Sequence, residues 1–393
     1  MLDKVTRVFR GLPGLYWVLF GGVGLMALAT FVFPFLALFL TARGYSVEQA
    51  GILVSLFGAG SIPAGPIAGT LADRVGRRPT LVGALVAGAA CTAALPFLEH
   101  PAVVAAGVLV LGVAIHAYFP AANAIVADVV PQDRLGDAYG LMYWERNAGV
   151  AISFALGGAL AARGYGLLFL ADAATTFLFA LVAWRFVPET RPAEAAAAPG
   201  GDAPRGYAVV LRDRRFVALM ALALLWMVGL FQFMVALPVH MKAAGFDEAR
   251  YGAVMAMNGA IVLALSPWAG RLGETFDPAK VLATGALLTG AGYGAYSVCT
   301  TPLEYAAATA VWSLGEVTTI PTISALTARL APADLRGRYQ GALGTTFGAA
   351  LAIAPALSGV VLGRLGAHAV WTGTAALCLV VAAGHLAAGR ART

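Results

Sequence analysis

The sequence predicts an all-α membrane protein, with twelve transmembrane helices in two pseudo-symmetric six-helix bundles. Three observations carry this. The 393-residue chain is 60% hydrophobic and only 12% charged, about half the charged fraction of a soluble domain. Its apolar runs are long enough to cross a hydrocarbon core ~30 Å thick, which takes about 20 helical residues at ~1.5 Å each. One set of residues also repeats at a constant offset of 201 positions. Backbone amides find no water in lipid, so helices are the expected spanning structure.

The spans are placed at roughly 15–42, 50–72, 79–98, 102–127, 137–162, 166–187, 216–241, 251–272, 280–299, 303–328, 338–362 and 366–388. Between the sixth and seventh runs lies the least apolar stretch, Pro188 to Arg215. It contains Ala195-Ala196-Ala197-Ala198-Pro199-Gly200-Gly201 and ends Arg212-Asp213-Arg214-Arg215. The expected organisation is therefore a bundle over 1–187, a linker over 188–215 and a second bundle over 216–393.

The repeat supports that division. Gly69, Leu71 and Asp73 recur as Gly270, Leu272 and Glu274, and Pro66 recurs as Pro267. Gly44 and Gly51 recur as Gly245 and Gly252, and Pro120, Ala124 and Ala127 as Pro321, Ala325 and Ala328. Ala155-Leu156-Gly157-Gly158 returns as Ala356-Leu357-Ser358-Gly359. A single shift through most of a half-chain implies a duplicated six-helix unit.

Charge placement predicts orientation. Of the 26 Lys and Arg residues, Arg43, Arg163, Lys242, Arg250 and Arg364 fall on one side, and Arg146 falls within a span. The other twenty share the side of the N-terminus, so both termini are expected in the cytoplasm of a cell-membrane protein. The net charge of +6 is spread over short loops and forms no nucleic-acid face. Cys91, Cys299 and Cys378 lack metal-ligand spacing and read as helix packing. Met1 to Pro13 reads as a short basic start rather than a cleaved leader, because the first apolar run is too long for a signal sequence. No G-x-x-x-x-G-K-[ST] motif is present, which argues against ATP drive. No cofactor or metal is expected, and the chain does not read as an enzyme.

The most informative stretch is Gly69-Thr70-Leu71-Ala72-Asp73-Arg74-Val75-Gly76-Arg77-Arg78-Pro79-Thr80-Leu81. It resembles the G-x-L-A-D-R-x-G-R-R loop between the second and third helices of major facilitator superfamily transporters. The resemblance covers nearly the whole chain. It implies two parallel repeats rocking about a site near the bilayer midplane. It also implies a cytoplasmic gate of Gly69, Asp73, Arg74, Gly76 and Arg77. There Asp73 meets the start of the eleventh helix near Gly337, Arg74 pairs with Asp128, and Glu274 is the remnant of the second copy. For Arg77 and Arg78 simple positive-inside anchoring is an equal reading. Val187-Pro188-Glu189-Thr190 resembles the exit of the sixth helix in such chains.

Ionisable side chains in mid-span cost several kcal/mol unless paired or hydrated, so each is a candidate site. Glu316 lies near the middle of the tenth span, and the repeat places His116 at similar depth. Glu145 and Arg146 lie in the fifth span, and Asp172 in the sixth. Glu316, His116, Glu145 and Asp172 are the candidates for proton coupling. The alternative for Glu316 is a packing acid satisfied by a hydroxyl such as Thr318 or Thr319. For Asp172 it is a structural acid near Thr175. Arg146 is a candidate to neutralise Glu145, to bind an anion or to reach the membrane edge. Successive helical residues point about 100° apart, so Glu145 and Arg146 cannot share one direction. Asn123, Gln232 and Asn258 are candidate substrate contacts or polar glue between helices. Phe31, Phe35, Tyr118 and Trp226 suit a hydrophobic or amphipathic substrate, or face lipid.

Within the superfamily, Leu314-Gly315-Glu316, Pro321 and Ala331-Pro332-Ala333-Asp334-Leu335-Arg336-Gly337-Arg338-Tyr339 resemble the bacterial drug:proton antiporters. Asn147-Ala148-Gly149 before Gly157-Gly158 does so as well. Two departures stand out. Val108 occupies the position of a fourth-helix arginine, and Ser153-Phe154 replaces the Gly-Pro of the fifth-helix signature. The expectation is a monomeric, proton-coupled exporter of small hydrophobic or amphipathic compounds in a lipid bilayer. The alternative is a proton symporter or uniporter of a sugar or organic acid.

Overall fold

The computed structural model describes residues 11–190, 209–332 and 335–390, without the side chains of residues 267, 269–274 and 337. The expected linker lies mostly outside these residues, as does the side chain of Glu274. Helices account for every regular element among them.

Each expected span is a helix or a helix pair, with ends within a few residues of the sequence reading. The second to sixth are Val47–Arg74, Arg77–Ala94, Pro101–Val129, Leu135–Arg163 and Tyr165–Phe186. The eighth to tenth are Glu248–Thr275, Pro278–Ala295 and Pro302–Leu330. The last two are continuous over Arg336–Arg390, turning at Gly366, whose φ of 82° suits a residue without Cβ. Eight of the described stretches are long and apolar enough to cross a membrane by length and composition. Leu135–Arg163 and Pro302–Leu330, which carry Glu145, Arg146 and Glu316, fall short of that measure, as does Pro278–Ala295.

Two spans are broken, which the run lengths did not show. The first is Gly14–Leu28 followed by Val32–Ala42. The seventh is Arg214–Leu230, a 3-10 turn at Phe231–Met234, and Ala236–Ala243. Shifted by 201 residues, the first break overlaps the second.

The chain forms two compact units. One comprises Met1–Pro34 and Gly60–Pro199, the other Phe35–Ala59 and Gly200–Thr393. In the first, Tyr16, Leu19 and Val23 pack with Leu85, Ile125, Met142 and Phe179, so five spans share one core. Tyr16 donates its hydroxyl proton to the carbonyl of Ala138 at 3.0 Å. The first and fifth spans meet backbone to backbone at Gly149, where a Cβ would run into Ala27.

The second unit is held by rings. Trp312 stacks on Phe233 with centroids 6.1 Å apart and on Tyr293 at 5.3 Å. Their polar tips are satisfied: Trp312 Nε1 donates to Tyr296 Oη at 2.8 Å, and Tyr293 Oη to the carbonyl of Leu230. Phe35–Ala59 joins this unit through an edge-on contact of Phe35 with Tyr251 and an ion pair of Glu48 with Arg364 at 3.2 Å.

Because helix association in lipid rests on close packing, Gly149→Leu should destabilise the first unit by about 1–3 kcal/mol. A thermal melt of the purified protein in detergent checks this; an unchanged midpoint contradicts the close approach.

Candidate functional site

Three groups of polar side chains carry the chemistry. The first surrounds the loop between the second and third spans. Gly76, with φ of 125°, turns the chain so that the third span starts at once with Arg77. Asp128, at the end of the fourth span, forms its ion pair with Arg77. The sequence reading put Arg74 there; the turn at Gly76 brings Arg77 to Asp128. Thr190 Oγ1 donates to Asp128 Oδ2 at 2.8 Å, while Arg77 donates to the carbonyl of Thr190 at 3.3 Å. Glu189 accepts the backbone N–H groups of Arg77 and Arg78 at 2.9 and 3.2 Å. A carboxylate at a helix start satisfies free amides and meets the positive end of the dipole. Arg78 donates to the carbonyl of Trp184. The loop is therefore tied to the exits of the fourth and sixth spans. Asp73 and Arg74 are exposed, and a Cβ on Gly69 would meet open space. The capping role of Glu189 was missed, although Val187-Pro188-Glu189-Thr190 was the signal for it.

The second group holds the break in the first span. The N–H groups of Phe31 and Val32 donate to Asp172 Oδ2 at 2.9 and 2.8 Å. Ser153 donates to the carbonyl of Thr30 at 3.3 Å. Thr30 itself turns back onto the carbonyl of Met26 at 2.7 Å. Asp172, only 6% exposed, thus accepts from the backbone of a helix 140 residues away. Thr175, its expected neighbour, instead donates to the carbonyls of Ala171 and Asp172 at 2.8 and 2.9 Å. Ser153 is one of the two residues that replace Gly-Pro in the fifth span, and it supplies a donor that neither of those side chains has.

Nearby, Glu145 and Arg146 diverge as helical geometry requires. Glu145 lies against Gly24 of the first span, where any Cβ would meet its carboxyl group. Its Oε2 is buried without a hydrogen-bond partner. Arg146 projects over Phe119 of the fourth span, 4.9 Å from the ring centroid, and lies 5.8 Å from that of Tyr143. A cation over ring faces is stabilised by about 0.5–2 kcal/mol. His116 donates from Nδ1 to the carbonyl of Gly112 at 2.8 Å. Tyr118 is buried in the core of this unit. Phe31 is buried at the break, and Asn123 accepts the Tyr139 hydroxyl on its carbonyl at 3.0 Å.

The third group lies in the second unit. Asn258 Nδ2 donates to Glu316 Oε2 at 2.8 Å and to Ser313 Oγ at 2.9 Å. Ser313 in turn donates to the carbonyl of Thr309 at 2.7 Å. An amide nitrogen has two protons, and Asn258 uses both on the tenth span. The hydroxyls expected to satisfy Glu316 are differently placed. Thr318 donates to the carbonyls of Leu314 and Gly315 at 3.0 and 2.9 Å, and Thr319 Oγ1 has no partner. Gln232 sits in the break of the seventh span and donates to the carbonyl of Val228 at 3.0 Å. Trp226 donates to Thr289 Oγ1 at 3.1 Å, tying the seventh span to the ninth. Nothing in the sequence pointed to His240, whose Nδ1 accepts from Trp371 Nε1 at 3.1 Å and lies 3.3 Å from Tyr305 Oη. No cluster of metal-binding side chains occurs among the described residues.

Comparison with known proteins agrees with this architecture. The family model of the Major Facilitator Superfamily matches residues 18–272 and 233–390. The chain belongs to this superfamily. It is thus a multi-pass membrane transport protein and not an enzyme. It is 27% identical over 355 residues to a Na(+), Li(+), K(+)/H(+) antiporter of Planococcus maritimus, covering 82% of this chain and 84% of that one. Over 354 residues it is 26% identical to the multidrug resistance protein MdtH of Cronobacter sakazakii, covering 87% and 85%. Among solved structures, the nucleoside transporter NupG superposes with a TM-score of 0.81 at 14% identity, covering 95% of this chain and 100% of that one. A POT family transporter in complex with 5-aminolevulinic acid reaches 0.78 at 17%, covering 98% of each. At such identities the structures establish the fold.

The break makes a measurable claim. Asp172→Ala should strand two backbone amides at about 1–3 kcal/mol each. Asp172→Asn, which keeps an acceptor, should cost less. Thermal melts rank the variants, and hydrogen exchange at residues 31 and 32 should accelerate in the alanine variant. Unchanged exchange there would remove Asp172 from this role.

Proposed function

We propose that the protein is a proton-coupled antiporter that exports small hydrophobic or amphipathic compounds by alternating access. Its two six-helix halves, 1–187 and 216–393, are joined by the linker at 188–215, and it works as a monomer with both termini in the cytoplasm. The observation that carries the reading is a pair of carboxylates without a cation. Glu145 has a buried oxygen with no partner, and Glu316 is held by the neutral amide of Asn258. Among the described residues neither forms an ion pair with Lys or Arg. A charge in a low-dielectric setting must be neutralised or paired, so a proton or a cationic substrate is the natural counterpart. In this scheme Glu316 is the proton carrier and Glu145 the second titrating acid. Asp172 is committed to the helix break, and the side-chain nitrogens of Trp226 and Gln232 donate within their own unit. Arg146, with Phe119 and Tyr143, forms the aromatic and cationic contact for substrate. The multidrug resistance relative supports this reading.

A second reading follows from the relative named as a Na(+), Li(+), K(+)/H(+) antiporter. The same unpaired carboxylates would exchange protons for a monovalent metal cation.

Proteoliposomes with an imposed pH gradient and an internal pH-sensitive dye separate the two. Addition of ethidium or a similar hydrophobic cation should collapse the gradient, while Na⁺, K⁺ and Li⁺ should not; the reverse result favours the second reading. Glu316→Gln should abolish the response, and a response within twofold of the parent would exclude Glu316 as the carrier. Glu145→Gln should reduce it at least tenfold if that acid titrates during the cycle, an estimate on the scale of one lost proton-transfer group.

A further inference from the structure

We propose that the second unit carries a binding site for an anionic phospholipid at the end where the seventh span begins and the last span ends. A cavity of about 200 Å³ opens there, lined by Arg214 and Arg215, by the apolar side chains of Leu219, Leu222 and Leu282, and by His385. Polar and apolar parts are separated in sequence along the seventh span. The two arginines open the helix, and the leucines follow one and two turns later.

Among the described residues, cations outnumber acids around this cavity. Lys280 and Arg390 directly follow the lining residues Ala279 and Gly389, and all four cations are exposed. The nearby acids among the described residues, Asp213 and Asp277, keep their charge but are turned to helix starts. Asp213 Oδ1 accepts the N–H groups of Arg215 and Phe216 at 3.0 and 3.1 Å, and its Oδ2 accepts the Tyr339 hydroxyl at 2.9 Å. Asp277 caps the ninth span through the N–H of Ala279 at 3.0 Å. Among the described residues Arg214 and Arg215 form no ion pair. Two guanidinium groups above an apolar trough complement a phosphate head with an acyl chain attached. Arginine also matches phosphate oxygens with paired donors. The lipid face of a membrane protein presents that ligand at this depth, because basic residues next to the hydrocarbon attract anionic headgroups. A soluble anion would use the arginines and leave the leucine trough empty.

The test uses the purified full-length protein in detergent. Dioleoyl phosphatidylglycerol is titrated against dioleoyl phosphatidylcholine and inorganic phosphate, with the melting temperature as readout. Native mass spectrometry counts the lipids retained. Phosphatidylglycerol should raise the midpoint and be retained, and the other two should not. Arg214→Ala combined with Arg215→Ala should weaken the effect about thirtyfold, on the scale of one favourable contact per arginine. If that pair does not fold, Arg214→Gln with Arg215→Gln carries the same test. Ala388 also lines the cavity, and Ala388→Trp, which fills the trough and leaves both arginines, should also weaken retention. Equal stabilisation by phosphatidylcholine overturns the site, as does an unaffected double variant. Inorganic phosphate reproducing the whole effect would make it a soluble-anion site and overturn the lipid assignment.

Discussion

A helix interrupted inside hydrocarbon leaves amides and carbonyls that lipid cannot satisfy, at several kcal/mol each. The first span is interrupted in this way at residues 29–31, and the first unit is organised around the repair. Asp172 comes from the sixth span to take the two amides, and Ser153 comes from the fifth to supply the carbonyl with a donor. The close contact of the fifth span with the first at Gly149 follows from the same need, since Ser153 lies one turn further along the helix that Gly149 admits. The buried acid at position 172 thus spends one oxygen on the backbone of the break.

The same physics separates the remaining acids. Asp172 accepts two backbone protons from the broken span. Glu316 accepts one from an amide that is itself fixed by Ser313 and the carbonyl of Thr309. Glu145 leaves an oxygen with nothing. The three are ordered by how far the protein has already satisfied them.

Much of the fold was legible in the sequence. Span lengths, the 201-residue offset and the turn at Gly76 all rest on local residue types, and the helices observed begin and end close to the expected positions. The breaks in the first and seventh spans were not legible, because each carries only a single polar residue, Thr30 or Gln232, inside an apolar run, and one such residue reads equally well as polar glue between helices. The signal that identifies the first break, an acid at position 172, lies 140 residues away in sequence. The pairing of Asn258 with Glu316 was hidden for the same reason, since both residues had been singled out and nothing linear joined them. The roles of Glu189 and Arg77 were hidden by a local effect: Gly76 turns the start of the third span, so that Arg77 reaches Asp128 and Glu189 caps the helix.

The two departures from the antiporter pattern in the fifth and fourth spans can be read together. Ser153 is accounted for by the break it serves. Val108, standing where a fourth-helix arginine is common, is fully buried and apolar, so the fourth span has no cation of its own at that depth. Arg146 lies on the fifth span, yet its guanidinium rests over Phe119 of the fourth. A cation held by ring faces keeps its N–H donors available, whereas one locked to a carboxylate does not. Glu145, one residue earlier, points to the first span. The chain thus holds an acid and a base side by side in sequence whose side chains pack against different spans.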